Sequence, residues 1–397
     1  MGGRAERPRY FHRPLEGVVP HRPGVRRRRH GRGAVDGAVR CRRRDRADGG
    51  TLAARGRTGP VVRRRRRVAL ISAVTVAALT LAGCGSATPK TGADGHRQIT
   101  VLLDWTPNTN HSGIYLAKAN GWYAKAGLDV RIIEPGANSN GLQMLTTGKA
   151  DFAISTEEDV TPAVAQGLPV ISVAAILQHN TSSMVALTSS GITRPRDLAG
   201  KVYGGFGGQL EKALVQQLVR CDGGDPSHIK FVQVGDADYR VGLTKHFYDF
   251  VWVFDGWEGI QFTDIDHLHT VTMPFIRYQR CIPDWYTPVI ATSQKLINGD
   301  PKDVAAFMAA TKRGYQEAIA HPREAASALL AAAPDVDRTL VEKSAGYMST
   351  HYTDDPSRWG WQQPSVWNRM TAFLRSAGMV TGKVDVSRAF TNRFVGG

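Results

Sequence analysis

Apolar and polar residues recur from residue 97 onward with two periods, and these periods predict β-strands interleaved with α-helices. Runs rich in Val, Ile and Leu are typical of strands, whereas apolar residues three and four apart are typical of helices. The first series comprises predicted strands at 98–104, 128–134, 151–155 and 169–177 and predicted helices at 112–126, 140–147 and 158–166. Strands separated by helices favour a sheet of parallel strands with helices on its faces.

A second series of the same kind follows, and the chain then becomes helical. Its predicted strands are 201–203, 229–234, 249–254 and 288–292, and its predicted helices are 210–220 and one that begins near Gly256. Four Ala-rich segments then predict helices at 301–320, 322–333, 340–349 and 364–376, and Pro at the start of a segment favours the first helical turn. The order predicts two α/β lobes with a cleft between them, lobe 1 at 97–183 and 288–397 and lobe 2 at 184–287, with crossings at 181–188 and 284–288.

A short apolar segment precedes both series and has the layout of a signal peptide. Five Arg at 63–67 are followed by an uncharged run at 68–83, which is shorter than the roughly 20 residues that span a bilayer. The run ends in LAGC, which resembles the bacterial lipobox and whose last residue is Cys84. We therefore expect a signal peptide at 63–83, a lipid on Cys84 that anchors the protein to the extracytoplasmic face of the membrane, and a polar tether at 84–96. An ordinary signal peptide with an incidental Cys is the alternative.

The net charge of +16 belongs to the N-terminal segment and not to the two series. Residues 1–67 hold 22 Arg and five acids, and the rest of the chain holds 29 basic and 30 acidic residues. Residues 1–62 have too few apolar residues to bury a core, so we interpret them as a disordered arm or as a start assigned too far upstream. A nucleic-acid-binding arm is the less favoured alternative. The spacing of Cys221 and Cys281 leaves open whether they pair, and no Cys or His spacing is typical of a zinc site.

Polar and aromatic residues stand where the predicted strands end, which is where open α/β sheets bind ligands. Trp105 lies in the turn after the first predicted strand, where turn formation does not require an aromatic residue. Its indole therefore predicts a flat surface on which the ring of a ligand can stack. For the polar residues at these strand ends, the alternative to ligand binding is ordinary turn formation and helix capping. The glycines of GGFGG could bring the backbone close to a ligand or donate N–H groups to an anion, but the spacing is not that of a nucleotide-binding loop. The candidate ligand-binding residues are Trp105, Asn108, Ser155, Glu158, Asn180, Gly205, Phe206, Trp252, Trp257, Glu258 and Tyr286.

Six ordered motifs between residues 97 and 397 carry a family resemblance. They read DWTPNTNHSGIYLAKANGWY, GKADFAISTEEDVTPAVAQGLPV, AAILQHNT, YGGFGG, WVFDGWEGI and WYTPVI. Together they resemble the NMT1/THI5-like group of type 2 periplasmic binding proteins, which take thiamine pyrimidine precursors. The resemblance implies a two-lobed clamp for hydroxymethylpyrimidine or formylaminopyrimidine, which delivers its ligand to an ABC permease and an ATPase. We expect a monomer that has no cofactor or metal and does not bind nucleic acid.

Two alternatives follow from the same resemblance. Relatives of this group take riboflavin, and Phe206 stands where Trp is usual, so another aromatic heterocycle is a possible ligand. The group also includes enzymes that build the pyrimidine from pyridoxal phosphate with a Lys and a His of their own. The corresponding positions here are Ser155 and Asp159, and without the Lys no Schiff base can form, so we expect a binding protein and not an enzyme.

Overall fold

The computed structural model describes residue 92 and residues 95–136, 139–235 and 238–396, all of which belong to one compact unit at 81–397. The predicted arm, the signal peptide and Cys84 lie outside the described residues. Within the described part of the chain, no helix combines the length and the apolar character needed to cross a membrane.

The first sheet contains five strands and is built from both ends of the unit. Its order is β2-β1-β3-β10-β4, with β1 parallel to β2 and β3, whereas β10 runs antiparallel to β3 and β4. The chain therefore returns to this sheet after it has built the second one. The strands are β1 (Arg97–Leu102), β2 (Leu128–Ile133), β3 (Phe152–Ser155), β4 (Val170–Ala175) and β10 (Val289–Ser293).

The second sheet also contains five strands, and all of them come from the middle of the chain. Its order is β7-β6-β8-β5-β9, with β6 parallel to β7 and β8, and β5 antiparallel to β8 and β9. The strands are β5 (Ser182–Leu187), β6 (Val202–Gly205), β7 (Lys230–Gln233), β8 (Phe250–Phe254) and β9 (Thr270–Pro274). We call the part built around the first sheet lobe 1 and the part built around the second sheet lobe 2.

Helices cover both sheets and bury separate apolar cores in the two lobes. The helix α11 contributes Trp367 to a core of lobe 1 and Met370 and Leu374 to a core of lobe 2. One apolar helix face thus packs against both lobes. The helices are α1 (Ser112–Ala119), α2 (Trp122–Lys125), α3 (Gly141–Thr146), α4 (Glu157–Ala165), α5 (Gln209–Cys221), α6 (Tyr239–Thr244), α7 (Gln294–Gly299), α8 (Pro301–Ala320), α9 (Pro322–Ala332), α10 (Arg338–Met348) and α11 (Pro364–Ser376).

The predicted α/β fold with two lobes is confirmed, but three local predictions differ from the structure. Both sheets are mixed and not parallel, because the returning β10 and the entering β5 insert antiparallel to their neighbours. The segment predicted as the first crossing contains β5, and its almost complete burial in the second sheet explains its apolar character. The helix predicted near Gly256 consists mainly of two π-helical turns, Asp255–Gly259 and Gln261–Ile265. In addition, Cys221 and Cys281 form a disulfide within lobe 2.

Candidate functional site

A cavity of about 570 Å³ lies between the lobes, where β1 and β3 of lobe 1 and β6 and β8 of lobe 2 end. Seven of the predicted ligand-binding residues line it, and they come from both lobes. This geometry gives a ligand two walls, each formed by the turns that follow the strands. The seven are Trp105, Asn108, Glu158, Phe206, Trp252, Trp257 and Glu258.

The wall of lobe 1 includes the turn after β1, and a buried histidine holds that turn together. The N–H of Asn108 donates to His111 Nδ1 (3.2 Å), so Nδ1 is the unprotonated ring nitrogen, and Nε2 donates to Asp104 Oδ1 (2.8 Å). The side chain of Asn108 accepts the N–H of Asn110 (2.9 Å) and donates to the carbonyl of Thr106 (3.0 Å). The polar groups of this turn therefore serve mainly the turn itself, and Asn108 combines its place in the lining with a capping role.

The wall of lobe 2 includes the GGFGG segment, which we call the glycine loop (residues 204–208), and the carboxylate of Glu211 organises it. Glu211 accepts the N–H of Phe206 (3.0 Å), the N–H of Gly208 (2.8 Å) and the hydroxyl of Tyr203 (2.9 Å). These N–H groups are the ones that an anion would need at the start of α5. The sequence leaves open that the loop cradles an anion, and the structure shows that Glu211 already occupies those two donors.

Four aromatic side chains give the cavity its apolar surface. Trp105 and Phe206 face each other from opposite lobes, with ring centroids 5.9 Å apart and planes at 88°, and both rings are more than 40% exposed. Trp252 and Trp257 are partly buried, and the Nε1 of Trp252 is buried without a hydrogen-bond partner among the described residues. A flat ring can therefore contact indole and phenyl surfaces from both lobes, and it can satisfy one indole N–H.

Two glutamates place carboxyl groups in this apolar surrounding. Glu158 lies in the first turn of α4, and its Oε2 is buried without a hydrogen-bond partner in the described part of the chain. Burial, together with the neighbouring charge of Asp159, raises the pKa of Glu158 to about 8, although the polar groups of its own backbone, Thr156 and Trp285 act in the opposite direction. Burial also raises the pKa of Glu258, whose Oε2 accepts the N–H of Phe254 (3.1 Å).

The ionisable side chains that line the cavity are mainly acidic. Among its described lining residues there are six acids and no Lys, Arg or His. Phosphate and sulfonate groups are normally bound by cationic side chains or by free N–H groups at a helix start, so this lining disfavours anionic ligands. Pyridoxal phosphate does not fit for the same reason, and because no described lining residue could form its Schiff base. The six acids are Asp104, Glu158, Asp159, Glu211, Asp238 and Glu258. In the described chain, no group of three or more His, Cys, Asp or Glu could hold a metal ion.

Four of the predicted ligand-binding residues lie outside the cavity lining and pack or bond within the protein. Ser155 is buried at the end of β3 opposite Val289. Asn180 accepts the N–H of Ser182 (2.7 Å), and its own N–H donates to Asp284 (2.9 Å). A Cβ on Gly205 would lie 2.4 Å from the ring of Tyr203, so this glycine allows close packing. The N–H of Tyr286 donates to the side-chain Oε2 of Glu157 (2.8 Å), its carbonyl accepts the N–H of Glu157 (3.0 Å), and its hydroxyl accepts the N–H of Gln363 (2.8 Å).

Several lining residues are absent from the predicted set. One of them, Glu211, could have been found from the sequence. It lies three residues after Gly208, and an acid at that position is typical of the capping pattern at a helix N-terminus. Met348 comes from α10, far along the chain, and no local pattern in the sequence links it to the cleft.

Comparison with known proteins agrees with this geometry. A family model described as NMT1/THI5 like matches residues 108–325. The 4-amino-5-hydroxymethyl-2-methylpyrimidine phosphate synthase of Legionella pneumophila is 27% identical over 311 residues, which cover 75% of this chain and 92% of the relative. The formylaminopyrimidine-binding protein of Halalkalibacterium halodurans is 25% identical over 337 residues, which cover 81% of this chain and 98% of the relative.

A solved structure supports the fold. The periplasmic aliphatic sulphonate binding protein SsuA of Escherichia coli superposes with a TM-score of 0.58 at 13% identity, covering 73% of this chain and 91% of that protein. The two-lobed arrangement is thus that of the periplasmic binding proteins, as the sequence motifs predicted.

Proposed function

The chain belongs to the NMT1/THI5-like family, and on that premise we propose that it is the solute-binding component of an ABC importer for an aminopyrimidine precursor of thiamine. The observation that carries the proposal is a cleft with aromatic walls and buried carboxyl groups whose described lining contains no cationic side chain. Both relatives described above carry an aminopyrimidine in their names, one as a ligand and one within the product of a synthase. A ligand of the hydroxymethylpyrimidine or formylaminopyrimidine type fits these features.

The chemistry of Glu158 matches the edge of an aminopyrimidine. That edge presents an exocyclic amine, which donates, beside a ring nitrogen, which accepts. A protonated carboxyl group offers the complementary pair, one donor and one acceptor, and a pKa of about 8 leaves Glu158 mainly protonated at neutral pH. The Oε2 of Glu158, which lacks a hydrogen-bond partner among the described residues, would gain one. An analogue without the amine would leave a buried acceptor unpaired, which gives selectivity.

The two lobes share the site. Trp105 and Glu158 contribute from lobe 1, and Phe206, Trp252, Trp257 and Glu258 contribute from lobe 2. Because the walls belong to different lobes, a ring bound between them favours the closed arrangement, as in other hinged binding proteins.

The location in the cell is a further part of the proposal. A signal peptide at 63–83 and a lipid on Cys84 would hold the clamp at the extracytoplasmic face of the membrane, beside a permease and an ATPase. The disulfide between Cys221 and Cys281 is compatible with that location, since disulfides persist in oxidising compartments.

A synthase is the second function to weigh, because one relative carries that name. The cavity offers it little support: Ser155 and Asp159 stand where the resemblance places the reactive Lys and His of the synthases, and no described lining residue can bind a phosphate through a positive charge. We therefore propose binding and not catalysis.

Titration calorimetry with 4-amino-5-hydroxymethyl-2-methylpyrimidine tests the ligand. We expect an affinity that is constant up to about pH 8 and then falls by roughly tenfold per pH unit. The reason is that binding requires the carboxyl proton of Glu158, which is lost above its pKa. Glu158→Gln keeps one donor and one acceptor in place, so it should bind with little dependence on pH. Glu158→Ala should bind about 100-fold more weakly, since it leaves the amine and the ring nitrogen unpaired in a buried site.

Riboflavin and pyridoxal phosphate serve as the comparison ligands in the same experiment. Binding of riboflavin but not of the pyrimidine would replace the ligand while keeping the transport role. A stable imine absorbance with pyridoxal phosphate would instead favour the enzyme.

Partition into detergent tests the anchor. When the full chain is produced in a bacterium that processes lipoproteins, the wild type should enter the detergent phase and Cys84→Ala should stay in the aqueous phase. Equal partition of the two would contradict lipidation at Cys84.

A further inference from the structure

One helix of lobe 1 makes specific contacts with the π-helical turns of lobe 2. We call residues 255–265 the π segment; it follows β8 and contributes Gly256, Trp257, Glu258 and Gln261 to the cavity lining. The helix is α10, whose Val341, Ala345 and Met348 belong to the core of lobe 1. The contact between them therefore joins the two walls at the margin of the cavity, where Gly256 and Met348 also line it.

Ser344 of α10 stands at the centre of that contact and is completely buried. Its hydroxyl donates to the carbonyl oxygen of Gly256 in the π segment. Because a hydroxyl has one proton, the second contact of Ser344, at 2.6 Å from the hydroxyl of Thr109, must have Thr109 as the donor. Thr109 and Gly256 both line the cavity, one in each lobe, and Ser344 links them in a single chain of hydrogen bonds.

Packing around Ser344 supports the same interpretation. A Cβ on Gly256 would lie 2.8 Å from the sulfur of Met348 and 2.9 Å from the ring of Tyr347, so the backbone of the π segment lies directly on α10. Trp257 packs against the core of lobe 1 although the strand that precedes it, β8, belongs to lobe 2. At the exposed end of the contact, Lys343 Nζ lies 3.0 Å from Asp264 Oδ2.

We propose that Ser344 is a positioning residue that holds the π segment, and with it Trp257 and Glu258, against the lobe 1 wall in the closed clamp. Because this bond joins α10 of lobe 1 to the segment that follows β8 of lobe 2, we expect it to slow the release of a bound ligand. The effect on ligand release rests on the proposed function; the effect on the π segment does not.

Hydrogen exchange of the full chain without ligand tests the positioning. In Ser344→Ala the amides of the π segment should exchange about tenfold faster than in the wild type, while the strands of both sheets keep their exchange rates. The matched control is Ser349→Ala at the end of the same helix; among the described residues its hydroxyl bonds to Gly346 within α10, and it should match the wild type. Gly256→Ala disrupts the same contact from the other lobe and should speed exchange of the same amides, with little further change when combined with Ser344→Ala.

Stopped-flow release of 4-amino-5-hydroxymethyl-2-methylpyrimidine supplies the second readout. Ser344→Ala should release it about tenfold faster with an association rate within about twofold of the wild type. Unchanged exchange in the π segment, or faster exchange throughout both lobes, would overturn the positioning role. Faster exchange confined to the π segment without any binding of the pyrimidine would uphold Ser344 and refute the proposed ligand instead.

Discussion

Two loops, one in each lobe, present aromatic rings to the cleft, and the two loops are held in place by different contacts. The turn after β1 presents Trp105, and the glycine loop after β6 presents Phe206. In both, a carboxylate of the protein supports backbone N–H groups, through His111 in the first case and directly from Glu211 in the second. Each loop is therefore held in place before a ligand arrives.

The difference lies in how many other elements support each loop. In the turn of lobe 1, the hydroxyl of Tyr315 also donates to the carbonyl of Asn110, and the hydroxyl of Tyr352 donates to the carbonyl of Thr109. Beyond the strand pairing of Gly204 and Gly205, the glycine loop is held among the described residues by one side chain, Glu211. A loop with several supports should tolerate the loss of one, whereas a loop with a single support should not.

The largest effect is therefore expected from Glu211→Ala. It leaves two backbone N–H groups and the hydroxyl of Tyr203 without their acceptor, so we expect the free energy of unfolding to fall by about 3 kcal/mol. Urea unfolding measures the change. Glu211→Gln retains one good acceptor and should lose less than half as much; equal losses would show that the carboxylate does not organise the loop.

A smaller loss is expected from His111→Asn. The Asn oxygen can accept the N–H of Asn108 in place of Nδ1, but the side chain is too short to reach Asp104, so only one of the two bonds is lost. We expect a decrease of about 1.5 kcal/mol in the same urea experiment. His228→Asn is the matched control, since the side chain of His228 is exposed and the change should alter stability by no more than about 0.5 kcal/mol. If His111→Asn destabilised more than Glu211→Ala, the proposed difference between the loops would be wrong.

The smallest effect is expected from the rings themselves. Trp105→Ala and Phe206→Ala should each weaken pyrimidine binding by about 1 kcal/mol, roughly fivefold, because both rings are partly solvent-exposed before binding. The double variant should lose less than the sum, since the rings also contact each other across the cleft. Calorimetry measures the three affinities, with Phe247→Ala, an exposed ring outside the cavity lining, as the control. Full additivity would show that the two rings act independently.

Local patterns were sufficient for much of the fold and for part of the site. The series of strands and helices predicted two α/β lobes, and the aromatic and acidic residues at the strand ends predicted Trp105, Glu158 and Phe206 as cavity residues. These predictions succeed because side-chain periodicity and the carboxyl-end position of ligands follow from short stretches of chain.

The sequence by itself thus determined the order of elements, the apolar faces and the rings that the strand ends would present. Only the tertiary structure decided that β10 returns to the first sheet, that Tyr286 and Asn180 bond within the protein and not into the cavity, and that Ser344 joins the two walls. Such contacts join residues that are far apart in the chain, so no local period records them. They depend on how the lobes pack against each other, and this packing brings the residues of the site together.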